Sequence, residues 1–180
     1  MASHDIDRRR FLRAATVLAV GGAVAPSARA TARRPGELSF YHIHTGEKLS
    51  VAFADTQGYL EDGLSEVDRF LRDFRTAEVH HIDPGVLDIL NAARLALKPD
   101  GVFEVISGYR SPKTNAMLRS QGRGVAKRSL HTQGRAVDVR LSGVPTATFR
   151  EFCLKLKRGG VGYYPKSDFV HVDTGRVRFW

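Results

Sequence analysis

The sequence predicts an α+β domain built on a largely antiparallel sheet flanked by helices. Three observations lead there: an alternating hairpin at the start of the folded part, two segments of helical apolar period behind it, and then short strands separated by helices. No internal repeat or low-complexity tract points to another architecture.

Residues 38–44 and 48–54 alternate apolar and polar side chains around Thr45-Gly46-Glu47, as two strands joined by a tight turn would. Asp62-Gly63 reads as a turn, after which Leu64, Val67, Phe70, Leu71 and Phe74 recur with helical spacing. A second helix is expected from Pro84, whose missing N–H is no loss in a first helical turn, through Val86, Leu87, Leu90, Ala93 and Leu97. Pro99-Asp100-Gly101 stops it and leads into a strand over 102–106. Ser107-Gly108-Tyr109-Arg110 leaves that strand, and Ser111-Pro112 opens a short helix through Leu118. Residues 121–129 are basic and rich in glycine (Gly122, Arg123, Gly124, Lys127, Arg128). They cannot build a core and are expected to form a loop that is mobile or closes over a ligand. A strand over 135–141, a helix over 146–157 and strands over 160–164 and 169–174 complete the domain. In the last helix Phe149, Phe152, Cys153 and Leu156 share one face, so the single cysteine is expected to pack as a small core residue. One cysteine also excludes an intrachain disulfide and a thiolate metal cluster.

Residues 1–30 stand apart from this fold. Arg8-Arg9-Arg10-Phe11-Leu12 precedes an apolar run from Ala14 to Ala25, and Ala28-Arg29-Ala30 offers a small-residue cleavage site. This reads as an export signal of the twin-arginine type, removed after Ala30. The run is too short for a membrane span of roughly 20 residues, so no membrane anchor is expected after cleavage. Residues 31–37 follow as a flexible lead-in, and 38–180 as one domain. The net charge of +9 falls to +6 once residues 1–30 are set aside, which favours polyanions such as anionic cell-wall polymers. An exported chain without interleaved aromatic and basic residues is not expected to bind nucleic acid. The expected location is the periplasm.

The chemistry concentrates between Ser129 and Asp173. On the strand 135–141, Ala136, Asp138 and Arg140 share one face while Val137, Val139 and Leu141 line the other. His131 lies seven residues ahead of Asp138, and Gly134 between them permits a tight turn that swings the imidazole back over the strand. On the last strand His171 and Asp173 share a face, with Val170 and Val172 behind. Two imidazoles and a carboxylate are the three protein ligands of a catalytic zinc with one open position. The same residues would also suit a satisfied core histidine and an ion-paired carboxylate.

The segment Ser129-Leu-His131-Thr-Gln-Gly134-Arg-Ala136-Val-Asp138 resembles the Ser-x-His-x-x-Gly-x-Ala-x-Asp motif of the LAS zinc peptidases, the group of lysostaphin, D-Ala-D-Ala peptidases and the hedgehog fold. Asp168-x-x-His171 resembles that group's second, acid-x-x-His element, and Ser107-Gly108-Tyr109-Arg110-Ser111 its upstream Gly-Tyr-Arg element. His44-Thr-Gly-Glu47, Ile82-Asp83-Pro84-Gly85, Gly124-Val-Ala-Lys127 and Gly159-Gly-Val-Gly-Tyr-Tyr-Pro165 bring the chain closest to the exported murein endopeptidases of the MepK type, from Tyr41 to Trp180.

The resemblance implies one zinc ion held by His131, Asp138 and His171, and hydrolysis of peptide cross-links between peptidoglycan stem peptides. Diaminopimelate-to-diaminopimelate (3-3) links are the first expectation and D-Ala-to-diaminopimelate (4-3) links the second. A D,D-carboxypeptidase or dipeptidase on the same scaffold is the alternative, and a non-catalytic wall-binding module a further one. Two acidic residues compete as general base. Asp168 stands where the group usually has Glu, and strict alternation points it away from His171 unless a turn after Pro165-Lys-Ser rotates it back. Asp173 lies on the ligand face, where it could equally hold an imidazole N–H. Arg110 is the candidate for polarising the scissile carbonyl or binding a substrate carboxylate, and Ser129 for a hydrogen bond to substrate. His42, His44, His80 and His81 are not needed by the site, and His80-His81 is expected to be solvated.

Overall fold

The computed structural model describes residues 36–122 and 125–180. The expected export signal, most of the lead-in and two residues of the basic loop, Arg123 and Gly124, lie outside them. Alternation at the start gives the hairpin β1 (Glu37–His42) and β2 (Lys48–Ala52), paired antiparallel from Glu37 opposite Ala52 to Tyr41 opposite Lys48. Helix α1 covers Glu61–Phe70, so Asp62-Gly63 is its first turn and not a turn between elements. The reason is packing: a Cβ on Gly63 would lie 2.1 Å from the carbonyl oxygen of Ala52, and glycine lets the helix settle on β2. The helix ends at Leu71, which leaves Phe74 beyond it against His42 and His44. Helix α2 (Pro84–Leu97) starts at its proline, with the Asp83 carboxylate accepting from the N–H of Gly85.

Strand β3 (Phe103–Ser107) leads to α3 (Pro112–Ser120), whose cap is the Ser111 hydroxyl on the N–H of Thr114. Then come β4 (Ala136–Leu141), α4 (Thr146–Leu156), β5 (Gly160–Tyr164) and β6 (Phe169–Asp173). Two short elements escaped the sequence patterns: a 3₁₀ turn over Leu130–Gln133 and a final strand β7 (Arg178–Phe179). Neither is long enough to display a period.

The sheet runs in the order β2-β1-β3-β4-β6-β5-β7. Four of its six pairings are antiparallel, and β1 with β3 and β5 with β7 are parallel, so the largely antiparallel α+β expectation holds. Val137, Val139, Leu141, Val170 and Val172 bury one face against Val86, Leu87 and Leu90 of α2 and Phe149 and Cys153 of α4. Burial pushes the Cys153 thiol up to about 12, consistent with an inert core residue. The opposite face of β4 and β6 therefore carries the polar residues, and antiparallel register sets Asp138 directly opposite His171. Between β3 and β4 the register shifts after Val105, bringing Ser107 opposite Asp138 and turning the chain toward that same face.

Candidate metal centre

His131 enters on the 3₁₀ turn, which ends at Gly134 with φ of +66°. That left-handed residue has no room for a side chain: a Cβ would stand 1.9 Å from the carbonyl oxygen of His81. The turn is fixed from the other side by the strap leaving β3. The carbonyl oxygen of Gly108 lies 2.8 Å from His131 Nδ1, and the N–H of Arg110 donates to the carbonyl of His131 at 3.1 Å. A carbonyl can only accept, so His131 Nδ1 carries its proton and Nε2 turns a lone pair to the face of the sheet.

His171 is held the opposite way round. Its Nε2 lies 2.9 Å from Asp173 Oδ2, so that nitrogen donates and Nδ1 faces inward, 2.9 Å from Asp138 Oδ1 and 3.2 Å from His131 Nε2. Asp138 Oδ1 lies 3.3 Å from His131 Nε2. The three inward atoms thus form a triangle with sides of 3.2, 2.9 and 3.3 Å. Two ligands at the usual bond lengths on a tetrahedral zinc stand about 3.3 Å apart, so the donor set fits such an ion. The second ring nitrogen of each histidine ends on an oxygen acceptor, which fixes both tautomers for ligation.

Electrostatics agree. Burial favours the neutral form of Asp138, but His131 and then His171 outweigh it and hold the carboxylate charged. Burial likewise opposes charge on His171, yet Asp138 and Asp173 on either side raise it to about 9. A site that pulls a proton this strongly onto an imidazole is a site that favours a cation. All three residues are buried.

The two candidate bases are placed differently. Asp173 is fully buried, and its oxygens accept from His171, from both Nη atoms of Arg178 at 3.0 and 2.7 Å, and from the N–H groups of Gly160 and Gly175. Despite its burial these donors hold its pKa well below the usual carboxylate range. Its contact with the donor set is the bond to the outer nitrogen of His171. Asp168 does sit in a turn, at φ +50°, but the turn delivers it to Thr146 Oγ1 at 2.9 Å and Arg140 Nη1 at 3.3 Å. Arg140 is one same-face step from Asp138, about 7 Å along the strand. Asp168 is thereby carried away from the triangle and tethers the start of β6.

Arg110 is buried beside the triangle, with Nη2 3.7 Å from Asp138 Oδ2 and 3.4 Å from Ser107 Oγ. Its Nε is buried and has no hydrogen-bond partner among the described residues. Ser129 is buried ahead of the 3₁₀ turn, and its hydroxyl does not cap that turn. His80 and His81 are exposed, as expected, but they are not idle. His80 stacks on Tyr109 at 4.6 Å, and the His81 carbonyl lies against Gly134. His42 and His44 lie at the hairpin on Phe70 and Phe74, and burial above all lowers His42 to about 4.

Sequence reasoning missed the Gly108 carbonyl, Arg178 and Trp180. One signal was available. Gly160 and Gly162 share a face of β5, and two such glycines mark a close approach. A Cβ on Gly160 would lie 2.4 Å from Arg178 Nη1, and one on Gly162 would lie 2.7 Å from the Trp180 ring.

The comparisons with known proteins point one way. A family model described as Peptidoglycan L,D-endopeptidase MepK matches residues 30–180. The chain is 40% identical over 183 residues to Peptidoglycan L,D-endopeptidase MepK of Escherichia coli (strain K12), covering 100% of both chains. It is 41% identical over 181 residues to Probable peptidoglycan L,D-endopeptidase MepK of Haemophilus influenzae, covering 98% of this chain and 96% of the relative. No solved structure matches the chain.

Proposed function

The chain belongs to the MepK family of peptidoglycan L,D-endopeptidases, and from that membership we propose a zinc-dependent murein endopeptidase that opens 3-3 cross-links outside the cytoplasmic membrane. Membership makes it a peptidase of the LAS zinc group and a peptidoglycan hydrolase. The name its relatives carry supports that link preference: an L,D bond runs from an L-centre to a D-centre, as in a diaminopimelate-to-diaminopimelate link. A 4-3 link runs from D-Ala to a D-centre and is the second choice. The run Arg8-Arg9-Arg10-Phe11-Leu12 and the apolar stretch after it support export to the periplasm, and among the described residues no helix is long and apolar enough to cross a membrane.

The observation that carries the metal reading is the donor triangle of His131 Nε2, Asp138 Oδ1 and His171 Nδ1, with both imidazole tautomers set from behind. Zinc bound there supplies Lewis-acid activation of the peptide carbonyl and of the attacking water. His131 is positioned by the Gly108 carbonyl and His171 by Asp173, which Arg178 holds in place. Arg110 stands where a guanidinium can bind the carbonyl oxygen as negative charge develops on it, or a stem-peptide carboxylate. Ser129, the residue ahead of the 3₁₀ turn, would donate a hydrogen bond to substrate. The basic loop and the net positive charge favour approach to stem-peptide carboxylates.

Digestion of purified sacculi tests the reading. Conversion of 3-3 dimers to monomers, abolished by chelation and restored by zinc, is expected. Full activity of metal-stripped protein would sink the metal reading. Release of D-Ala from monomers with dimers untouched would replace the endopeptidase by a D,D-carboxypeptidase, and binding without turnover would leave a wall-binding module.

A further inference from the structure

Trp180 occupies a place that the zinc chemistry does not require. Its backbone is locked to β5, with its N–H on the Val161 carbonyl at 3.3 Å and its carbonyl accepting from Tyr163 at 3.0 Å. The indole then folds over Gly162, on the same face as His171, with ring centroids 5.2 Å apart. Gly162 does not have a positive φ, so its backbone would admit any residue, and it is the indole that excludes a side chain there. Yet Trp180, whose ring this glycine accommodates, is 49% exposed as a residue. Beside it Tyr164 is 39% exposed and stacks on Phe169 at 4.5 Å. The indole N–H is already spent on the Tyr164 hydroxyl at 2.9 Å. What remains open next to the donor triangle is therefore aromatic surface without a spare indole donor, suited to an apolar partner, with the Tyr164 hydroxyl accepting from the indole and keeping its own O–H at the edge.

We infer that Trp180 and Tyr164 form a substrate subsite that seats the methylene arm of the residue donating the scissile carbonyl. The inference rests on the endopeptidase reading above. The distance selects the occupant. A group on Trp180 lies within one residue of a carbonyl held at the triangle, whereas the glycan joins the stem at least two residues upstream, about 7 Å of extended chain away. Diaminopimelate offers an aliphatic arm at that first position, and an alanine there would leave the indole bare.

The test compares zinc-loaded parent, W180F and W180A on two cross-linked peptides, one with diaminopimelate and one with alanine donating the scissile carbonyl. For the diaminopimelate peptide W180A is expected to lose about 10-fold in kcat/KM, mostly through KM, with W180F close to the parent. For the alanine peptide the loss should stay under about 2-fold. Equal losses on both peptides, or none on either, would overturn the subsite. Trp180 is the chain's single tryptophan, so its emission reports occupancy in the parent protein without mutation. Saturable change with the diaminopimelate product peptide, and not with its alanine counterpart, is expected. An unchanged emission at peptide concentrations that inhibit cleavage would overturn the inference. Should the parent open no cross-link at all, the endopeptidase reading itself would fall, whereas an active parent with an indifferent W180A removes only the subsite.

Discussion

Replacing Asp173 by Asn separates positioning from proton transfer. The carboxylate accepts five hydrogen bonds, from His171, twice from Arg178, and from the N–H groups of Gly160 and Gly175. An amide keeps one accepting oxygen. If that oxygen stays on His171, the NH₂ meets two backbone donors and Arg178 Nη1. If it turns the other way, the NH₂ faces His171 Nε2, which must then accept, and the ring proton moves to Nδ1, the atom that faces the metal donors. Either arrangement leaves buried donors unpaired at about 1–3 kcal/mol each, and loss of such a partner weakens metal binding about 10–100-fold. That corresponds to roughly 1.4–2.7 kcal/mol. Chelator competition measures the zinc affinity, and kcat is read at saturating zinc. Parent-like zinc affinity together with a fall in kcat of about 100-fold or more would refute the positioning role, because that is the signature of a lost general base. Asp168→Asn is the matched control. Its side chain is 60% exposed, so zinc affinity should be unchanged and stability altered by about 1 kcal/mol or less.

Four further outcomes follow from the same geometry. His171 holds its proton up to about 9 when no metal is bound, so zinc must displace that proton and its affinity should rise about tenfold per pH unit until it flattens near pH 9. Because that pKa is raised above the ordinary histidine value, metal-free protein should have this stabilisation in full below about pH 6.5 and lose it as pH climbs toward 9, which melting curves at pH 6 and pH 9 would show. Gly134→Ala places a Cβ 1.9 Å from the His81 carbonyl at φ +66°, and should cost more than the roughly 1–2 kcal/mol of a left-handed residue alone, read as a lower unfolding midpoint with weaker zinc binding. Arg110→Lys keeps the charge but loses the planar fork, so kcat should drop about 10-fold or more with zinc affinity retained; parent-like turnover would remove Arg110 from the chemistry.

The elements that were legible in the sequence are those with several turns or residue pairs to show a period. Helix α2 starts at Pro84 because proline and the Asp83 cap both act locally, and β4 and β6 read as strands because their buried faces are uninterrupted Val and Leu. Asp62-Gly63 misled because a glycine that serves helix-to-strand packing has the same local signature as a turn. The 3₁₀ turn at His131 and the two-residue β7 are fixed by tertiary contacts, which pattern reading cannot supply. Asp168 shows the limit most plainly. Its turn does rotate the side chain, but the rotation ends on Arg140 and Thr146, residues far along the chain.

His171-x-Asp173 is different, and the difference explains why the site was legible at all. Residues two apart on a strand point to one face, so a histidine and an aspartate at that spacing can form a hydrogen-bonded dyad within a single strand. The sequence thereby specifies the tautomer of a ligand locally, before any long-range packing. Long-range structure enters only in holding the dyad still: Gly160 and Gly175 donate from adjacent turns and strands, and Arg178 forks onto the carboxylate from β7. Arg178 also lies 4.9 Å from the Trp180 ring. One short strand thus touches both the group that orients a metal ligand and the aromatic surface proposed to meet substrate. A substitution at Arg178 should therefore weaken zinc affinity and alter Trp180 emission together. Arg178→Ala changing one without the other would show that β7 serves the two as separate contacts and not as a coupled support.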